Sequence, residues 1–165
     1  EMCIRDRIPP LYKVRQVFGR ETLPDIAAAI RKEFQREEIS GKIKPGMRAA
    51  VAVGSRGIRN LPLIVKTILE ELEKLGAIPF IVSAMGSHGG GTEEGQREVL
   101  YGYGITEDAM HVPIITTTDV VCLGEISGGR KVYFDKSAME ADVIIPVNRV
   151  KLHTDFVSDI QSGLW

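Results

Sequence analysis

Cysteine is scarce in this sequence. Cys3 and Cys122 are its only two examples among 165 residues, and they form no CxxC pair. Two such cysteines are too few for a disulfide framework or for a cysteine-rich zinc module. The reducing cytoplasm is therefore the default expectation for the location of this protein.

Long apolar runs and an excess of either charge are also missing. No stretch approaches the roughly 18–20 apolar residues of a membrane span, and nothing near the N-terminus has the pattern of a secretory signal peptide. The 21 basic and 22 acidic side chains nearly balance, so no broad attraction to nucleic acid or to an anionic membrane is predicted. We therefore expect neither nucleic acid nor a membrane as a partner.

A familiar nucleotide signature is missing from the most glycine-rich stretch, AMGSHGGGT at residues 84–92. A GxGxxG motif that began at Gly89 would need glycine at the place of Glu94, and the Gly-Lys-Ser/Thr end of a P-loop is absent. Glycine nevertheless lets a ligand approach the backbone closely, and free N–H groups at a helix start attract phosphate or carboxylate. The residues alone leave two interpretations open: an unusual anion site, or a flexible turn with a solvated histidine.

What the sequence does contain is an alternation of amphipathic helices with short, continuous apolar strands, typical of a parallel sheet buried on both faces. Thr22 is the expected N-cap of the first helix, with Asp25 three residues later, and Pro146 suggests the end of the last strand. Helices are predicted at residues 22–39, 61–75 and 92–103, with one or two helical turns at 135–141. Strands are predicted at residues 48–54, 78–84, 112–116, 120–126, 131–134 and 142–147, with a hairpin turn at 128–130. The pattern predicts one α/β domain with a mostly parallel, Rossmann-like sheet flanked by helices.

Three polar loops follow predicted strands, at residues 54–60, 85–92 and 148–156. Ligands of such sheets bind where the strands end, so we expect these loops to lie together and to bring His88 near His153. Imidazole both gives and takes a proton near neutral pH, whereas two histidines without close cysteine or carboxylate partners make no zinc signature. Arginine in these loops suits a carboxylate substrate. The loops carry Arg56, Arg59, Ser87, His88, Thr92, Asn148, Arg149, Lys151, His153, Thr154 and Asp155.

Four segments together carry a resemblance to a known family: VAVGSRGIRNLP, AMGSHGGGTEEGQREVL, GRKVYFDKSAMEADVIIPVNRVKLHTDF and the terminal SGLW. In their order and spacing, they resemble the N-terminal domain of the nickel-dependent lactate racemase family, in its large uncharacterised branch. The resemblance spans residues 8–165 and implies a longer protein of two α/β domains with the active site in the cleft between them. We accordingly interpret residues 1–7 as a non-native or disordered leader, and we expect the domain to be truncated at its C-terminal end, with the second domain missing.

The resemblance implies an isomerase, a racemase or epimerase of a 2-hydroxy acid, that uses a nickel-pincer nucleotide cofactor and hydride transfer. His88 and His153 are similar to the acid–base pair of the family, and Arg59 is similar to its substrate- or cofactor-binding arginine. The cofactor-attaching lysine and a nickel-ligand histidine are expected beyond Trp165, so no metal ligand is predicted within the sequence. Other residues expected to contact substrate or cofactor are Ser55, Arg56, Ser87, Gly89, Gly90, Thr92 and Lys151.

Two departures from the family pattern bear on the substrate. Arg56 stands where the characterised racemases have an acidic residue, and three glycines follow His88 where they usually have a larger basic residue. The branch is therefore also compatible with a larger hydroxy acid or a sugar acid. The alternative from another class is a non-catalytic anion- or nucleotide-binding domain of the same fold. A phosphate-binding hydrolase is disfavoured because a P-loop and an acidic metal cluster are both missing.

Overall fold

The computed structural model describes residues 12–17, 22–55, 57–149, 157 and 159. Within these ranges the chain forms a four-stranded parallel sheet flanked by helices, together with a two-stranded antiparallel hairpin. The helices are α1 (Ile26–Phe34), α2 (Glu37–Ser40), α3 (Leu61–Lys74), α4 (Glu93–Gly102), α5 (Glu107–Met110) and α6 (Lys136–Met139), with a short 3₁₀ turn at His88–Gly91. The strands are β1 (Arg48–Val53), β2 (Ile78–Ser83), β3 (Ile114–Ile115), β4 (Val120–Ile126), β5 (Arg130–Asp135) and β6 (Val143–Val147). The predicted α/β class is confirmed.

The parallel sheet has the strand order β3-β2-β1-β6. Strand β1 lies inside the sheet and pairs with β2 on one side and with β6 on the other, so that Ala50 is opposite both Phe80 and Ile144. Its residues Ala49, Ala50 and Val51 are fully buried, which explains the continuous apolar run in the sequence. Because all the paired strands run in the same direction, β2, β1 and β6 end at one edge of the sheet.

The two faces of the sheet are covered unequally. On one face, α3 contributes Val65 and Leu72 to a large buried cluster that also holds Ile81 of β2 and Leu100 of α4. The cluster on the other face is small: Ala50, Phe80, Val82 and Ala138 form it, and Phe134 of the hairpin packs against it. The amphipathic helices thus gather on one face, whereas α6 and the hairpin cover the other.

The first helix is shorter than the predicted span of residues 22–39. Asp25, rather than Thr22, is its N-cap, because the Asp25 carboxylate accepts a hydrogen bond from the backbone N–H of Ala28 at 2.8 Å. The helix ends at Phe34, and Arg36 has extended backbone angles before α2 begins. Phe34 and Ile39 both pack against the large cluster. In an uninterrupted helix these two residues would point about 140° apart, so the break lets both face the core.

The sequence suggested that the last strand ends at Pro146. In the structure Pro146 lies inside β6, opposite Ala52, and the strand ends one residue later, at Val147. Proline lacks the N–H that a central strand needs for two neighbours, but it is tolerated on an outer strand. In the described part of the sheet β6 is such an outer strand, with β1 as its neighbour.

Among the helices of the described ranges, none is both long and apolar enough to cross a membrane.

Candidate functional site

The predicted meeting of three loops at the carboxyl edge of the sheet is confirmed for residues 54–55, 57–60, 85–92 and 148–149. The backbone N–H of Gly54 donates to the carbonyl of Val147 at 3.1 Å, joining the ends of β1 and β6. The guanidinium of Arg149 donates to the carbonyl of Gly57 at 3.1 Å. Arg56, Lys151 and His153 lie outside the described residues, so their places at this edge stay predictions.

His88 is the histidine that the structure describes at this edge, and one of its ring nitrogens is held from two sides. Nδ1 lies 2.6 Å from the carbonyl oxygen of Met85 and 2.9 Å from the hydroxyl oxygen of Ser55. Ser55 is only 7% exposed, and His88 is half-buried. The contact joins the loop after β1 to the loop after β2. The two predicted site residues Ser55 and His88 are therefore direct partners.

The Met85 carbonyl decides which nitrogen of His88 carries the proton. A carbonyl oxygen only accepts hydrogen bonds, so Nδ1 must be protonated and must donate to it. The lone pair of the neutral ring then lies on Nε2, for which no hydrogen-bond partner occurs among residues 12–17, 22–55 and 57–149. A protonated Nδ1 also cannot take a proton from Ser55. The geometry thus makes Nε2 the proton acceptor and excludes Ser55 as a nucleophile activated by His88.

We expect nitrogen-15 NMR of the imidazole rings to find neutral His88 with its proton on Nδ1. The exposed His111 provides an internal reference in the same spectrum. In Ser55→Ala the stronger contact to Met85 remains, so the Nδ1-protonated form is expected to persist. A neutral His88 protonated mainly on Nε2 would contradict the assignment, since Nδ1 would then face the Met85 carbonyl without a proton.

The glycine segment after His88 is packed against the start of α4. Gly89 has φ +63°, and a Cβ there would overlap the backbone carbonyl carbon of Gly95. A Cβ on Gly95 would likewise overlap the carbonyl oxygen of Gly89. Gly90 also has a positive φ, but a Cβ there would meet nothing within 4 Å. At Gly89, therefore, two stretches of backbone pack closely against each other, a contact that favours a fixed position of this segment over a flexible turn with a solvated histidine.

Gln96 is a functional candidate that the motifs did not reveal. Its side-chain carbonyl accepts a hydrogen bond from the Ser83 hydroxyl at 2.5 Å, and its amide donates to the carbonyl of Gly86 at 2.8 Å. It is 7% exposed. The available signal was its spacing, because Gln96 precedes the buried Leu100 by four residues and so occupies the core-facing side of α4.

The remaining predicted binding residues lie at the same edge in different settings. Arg59 is exposed and borders a cavity of about 470 Å³ that Thr22, Leu23, Ile26 and Asn60 also line. Ser87 is exposed, and its side chain makes no cap hydrogen bond. Among the described residues, no hydrogen bond joins Arg59 to His88. Their joint action on one ligand therefore stays a prediction.

The start of α4 uses its own residues to satisfy its backbone. The Thr92 hydroxyl accepts a hydrogen bond from the N–H of Gly95 at 3.1 Å and donates to the carbonyl of Gly89 at 3.2 Å. Glu93 and Glu94 add negative charge in the first turn. These features counter the expected attraction of this helix end for an anion. Thr92 has a structural role here, and its contact with a ligand stays a prediction.

One comparison with known proteins identifies a family for this chain. The chain matches the lactate racemase N-terminal domain over residues 16–157, a stretch that contains every described helix and strand from α1 to β6. No curated protein and no solved structure matches the chain. Because the family match covers most of the 165 residues, this chain belongs to the lactate racemase family and contains its N-terminal domain.

Proposed function

We propose that this domain forms part of the active site of a racemase or epimerase that acts on a 2-hydroxy acid. The single observation that carries the proposal is the fixed imidazole of His88 in a chain of the lactate racemase family. Its proton-accepting Nε2 is available at the sheet edge where ligands of α/β proteins bind. A histidine with one nitrogen anchored and the other available is suited to general acid–base catalysis.

His88 would handle the hydroxyl proton of the substrate. Its Nε2 takes that proton while the hydroxyl-bearing carbon is oxidised, and it returns the proton when the carbon is reduced again. The hydrogen bond that Nδ1 donates to the Met85 carbonyl keeps the ring oriented, and it stabilises the charged imidazolium between the two steps. His153 would serve the opposite face of the substrate carbon, so each histidine would act on one enantiomer; this second role rests on the family resemblance.

The carboxylate of the substrate would be held by the basic residues of the loops. Arg59 is the first candidate because its exposed guanidinium follows β1 in the same loop as Ser55, and a guanidinium binds a carboxylate with two parallel hydrogen bonds. Arg56 and Lys151 are further candidates. With arginine at position 56 in place of an acidic residue, a larger hydroxy acid or a sugar acid with additional hydroxyl or acidic groups is a substrate worth testing.

The lactate racemase family uses a nickel-pincer cofactor, and we propose the same group for this protein. The described residues contain no group of three or more histidine, cysteine, aspartate or glutamate side chains that could hold a metal ion. These described residues do not by themselves fit a nickel centre. The chemistry that this cofactor would supply, when bound, is acceptance and return of a hydride at the substrate carbon. Ser87, Gly89, Gly90 and Thr92 would adjoin it.

The alternative of a non-catalytic anion- or nucleotide-binding domain has less support. Its main basis was a free helix start after the glycines, and Thr92 already caps that start. A binding domain also has no need for an imidazole whose tautomer is fixed by a carbonyl. Such a domain would bind an anion without any turnover of a hydroxy acid, which separates the two functions experimentally.

The test is a racemisation assay in deuterated water on the protein that carries this domain, loaded with the nickel cofactor. We expect enantiomers of a 2-hydroxy acid to interconvert with little solvent deuterium at the hydroxyl-bearing carbon, because a hydride leaves and returns within the site. Substantial deuterium at that carbon would contradict hydride transfer, since direct deprotonation exchanges with solvent. Absence of racemisation across lactate, larger hydroxy acids and sugar acids would contradict the proposed function.

A further inference from the structure

We infer that Gln96 is a positioning residue for His88 and acts through the backbone of the loop between β2 and α4. Its effect on turnover rests on the proposed function, whereas its effect on the His88 ring does not. Gln96 belongs to α4 and lies eight residues after His88 in the sequence. The two side chains have no hydrogen bond to each other; the connection runs through the residues around Met85.

The two partners of Gln96 flank the carbonyl that holds His88. Ser83 ends β2 and donates its hydroxyl hydrogen to the side-chain carbonyl of Gln96 at 2.5 Å. Gly86 accepts from the Gln96 amide at 2.8 Å. Met85 lies between these two anchor points, is 6% exposed, and accepts from Nδ1 of His88 at 2.6 Å. One buried amide group therefore fixes the short segment from which the His88 ring is oriented.

The chemistry of this position requires one donor and one acceptor in the same side chain. The Gly86 carbonyl needs a donor, and the side-chain carbonyl of Gln96 accepts the hydrogen of Ser83. An ionised glutamate would offer acceptors only and would place a carboxylate oxygen against the Gly86 carbonyl. A protonated glutamate regains a donor and restores both bonds. Gln96→Glu should therefore be tolerated in its acid form and disruptive in its ionised form.

The surroundings of Gln96 make this titration interpretable. Strand β2, which packs against α4, contains no titratable side chain. The titratable and charged side chains of the other adjoining elements are those of His88 in the 3₁₀ turn and of Glu93, Glu94, Arg97, Glu98 and Tyr101 on α4. None of them hydrogen-bonds to Gln96 among the residues described. Burial and the facing carbonyl raise the pKa of an introduced carboxyl group above that of an exposed glutamate.

We therefore expect kcat of Gln96→Glu to match the wild type at low pH and to fall by about 10- to 100-fold as the introduced carboxyl ionises, because small misplacements of a catalytic group have effects of this size. KM should change little. Ser83→Ala removes one of the two bonds and should give a smaller loss without the added pH dependence. Gln35→Glu, the same substitution at an exposed residue at the end of α1, is the matched control and should follow the wild type at every pH.

Nitrogen-15 NMR of His88 gives a readout that does not depend on turnover. In Gln96→Glu the fraction of neutral His88 protonated on Nδ1 should fall as the introduced carboxyl ionises, while Gln35→Glu stays like the wild type. If the ring responds and no hydroxy acid is racemised, the proposed function fails and the positioning role stands. If Gln96→Glu keeps the wild-type ring signals and the wild-type pH dependence of kcat, the positioning role is overturned.

Discussion

Replacement of His88 by alanine is expected to lower the rate of racemisation by about 10²–10⁴-fold, the usual contribution of a general acid–base group. The variant loses Nε2, the proton acceptor that the contact between Nδ1 and the Met85 carbonyl leaves available. Binding of the hydroxy acid should change far less, because in the proposed site the basic residues of the loops would hold its carboxylate. Racemisation rates in both directions, with binding measured separately by calorimetry, check this expectation.

His111 supplies the matched control for that experiment. It is exposed and lies at the C-terminal end of α5 with φ +61°, a backbone conformation that asparagine tolerates well. His111→Asn should therefore racemise at the wild-type rate and unfold at the wild-type temperature. Wild-type turnover in His88→Ala would refute the acid–base assignment. A His88→Ala variant that loses binding as much as turnover would give the imidazole a binding role instead.

The sheet and its functional edge could be predicted because their signals are local. A run such as residues 49–53 is apolar at every position only when both faces of the strand are buried, and this part of β1 is such a run. The placement of the three loops then follows from topology alone, since parallel strands end at the same edge. Hence the prediction that these loops lie together needed no knowledge of any side-chain contact.

The contacts inside the site could not be predicted in the same way, because they join residues that no short pattern connects. Ser55 and His88 are 33 residues apart, and both appeared in the sequence only as polar residues of separate loops. In the sequence, Gln96 is one polar residue among several on an amphipathic helix. Only the folded chain places its buried amide between β2 and Gly86. The early end of α1 at Phe34 likewise depends on the core that Phe34 and Ile39 must reach together.

Alanine at Gly89 is expected to destabilise the domain far more than alanine at Gly90. Both residues have a positive φ, and that backbone conformation costs a non-glycine residue about 1–2 kcal/mol. At Gly90 no further cost arises, since the new methyl group meets nothing within 4 Å. At Gly89 the methyl group overlaps the backbone of Gly95, and overpacking adds roughly 1–3 kcal/mol. Urea unfolding of the two variants measures this difference directly.

Gly95→Ala tests the contact between Gly89 and Gly95 from the other side. The sign of its effect on the free energy of unfolding shows whether the two glycines pack against each other. Gly95 lies within α4 and has ordinary helical angles, so helix propensity alone would make alanine there about 1 kcal/mol more stable. The overlap of its methyl group with the Gly89 carbonyl predicts destabilisation instead, together with a displaced His88 and a lower racemisation rate. A Gly95→Ala domain more stable than the wild type would mean that the glycine segment does not rest on α4. His88 would then depend on Met85, Ser55 and Gln96 alone for its position.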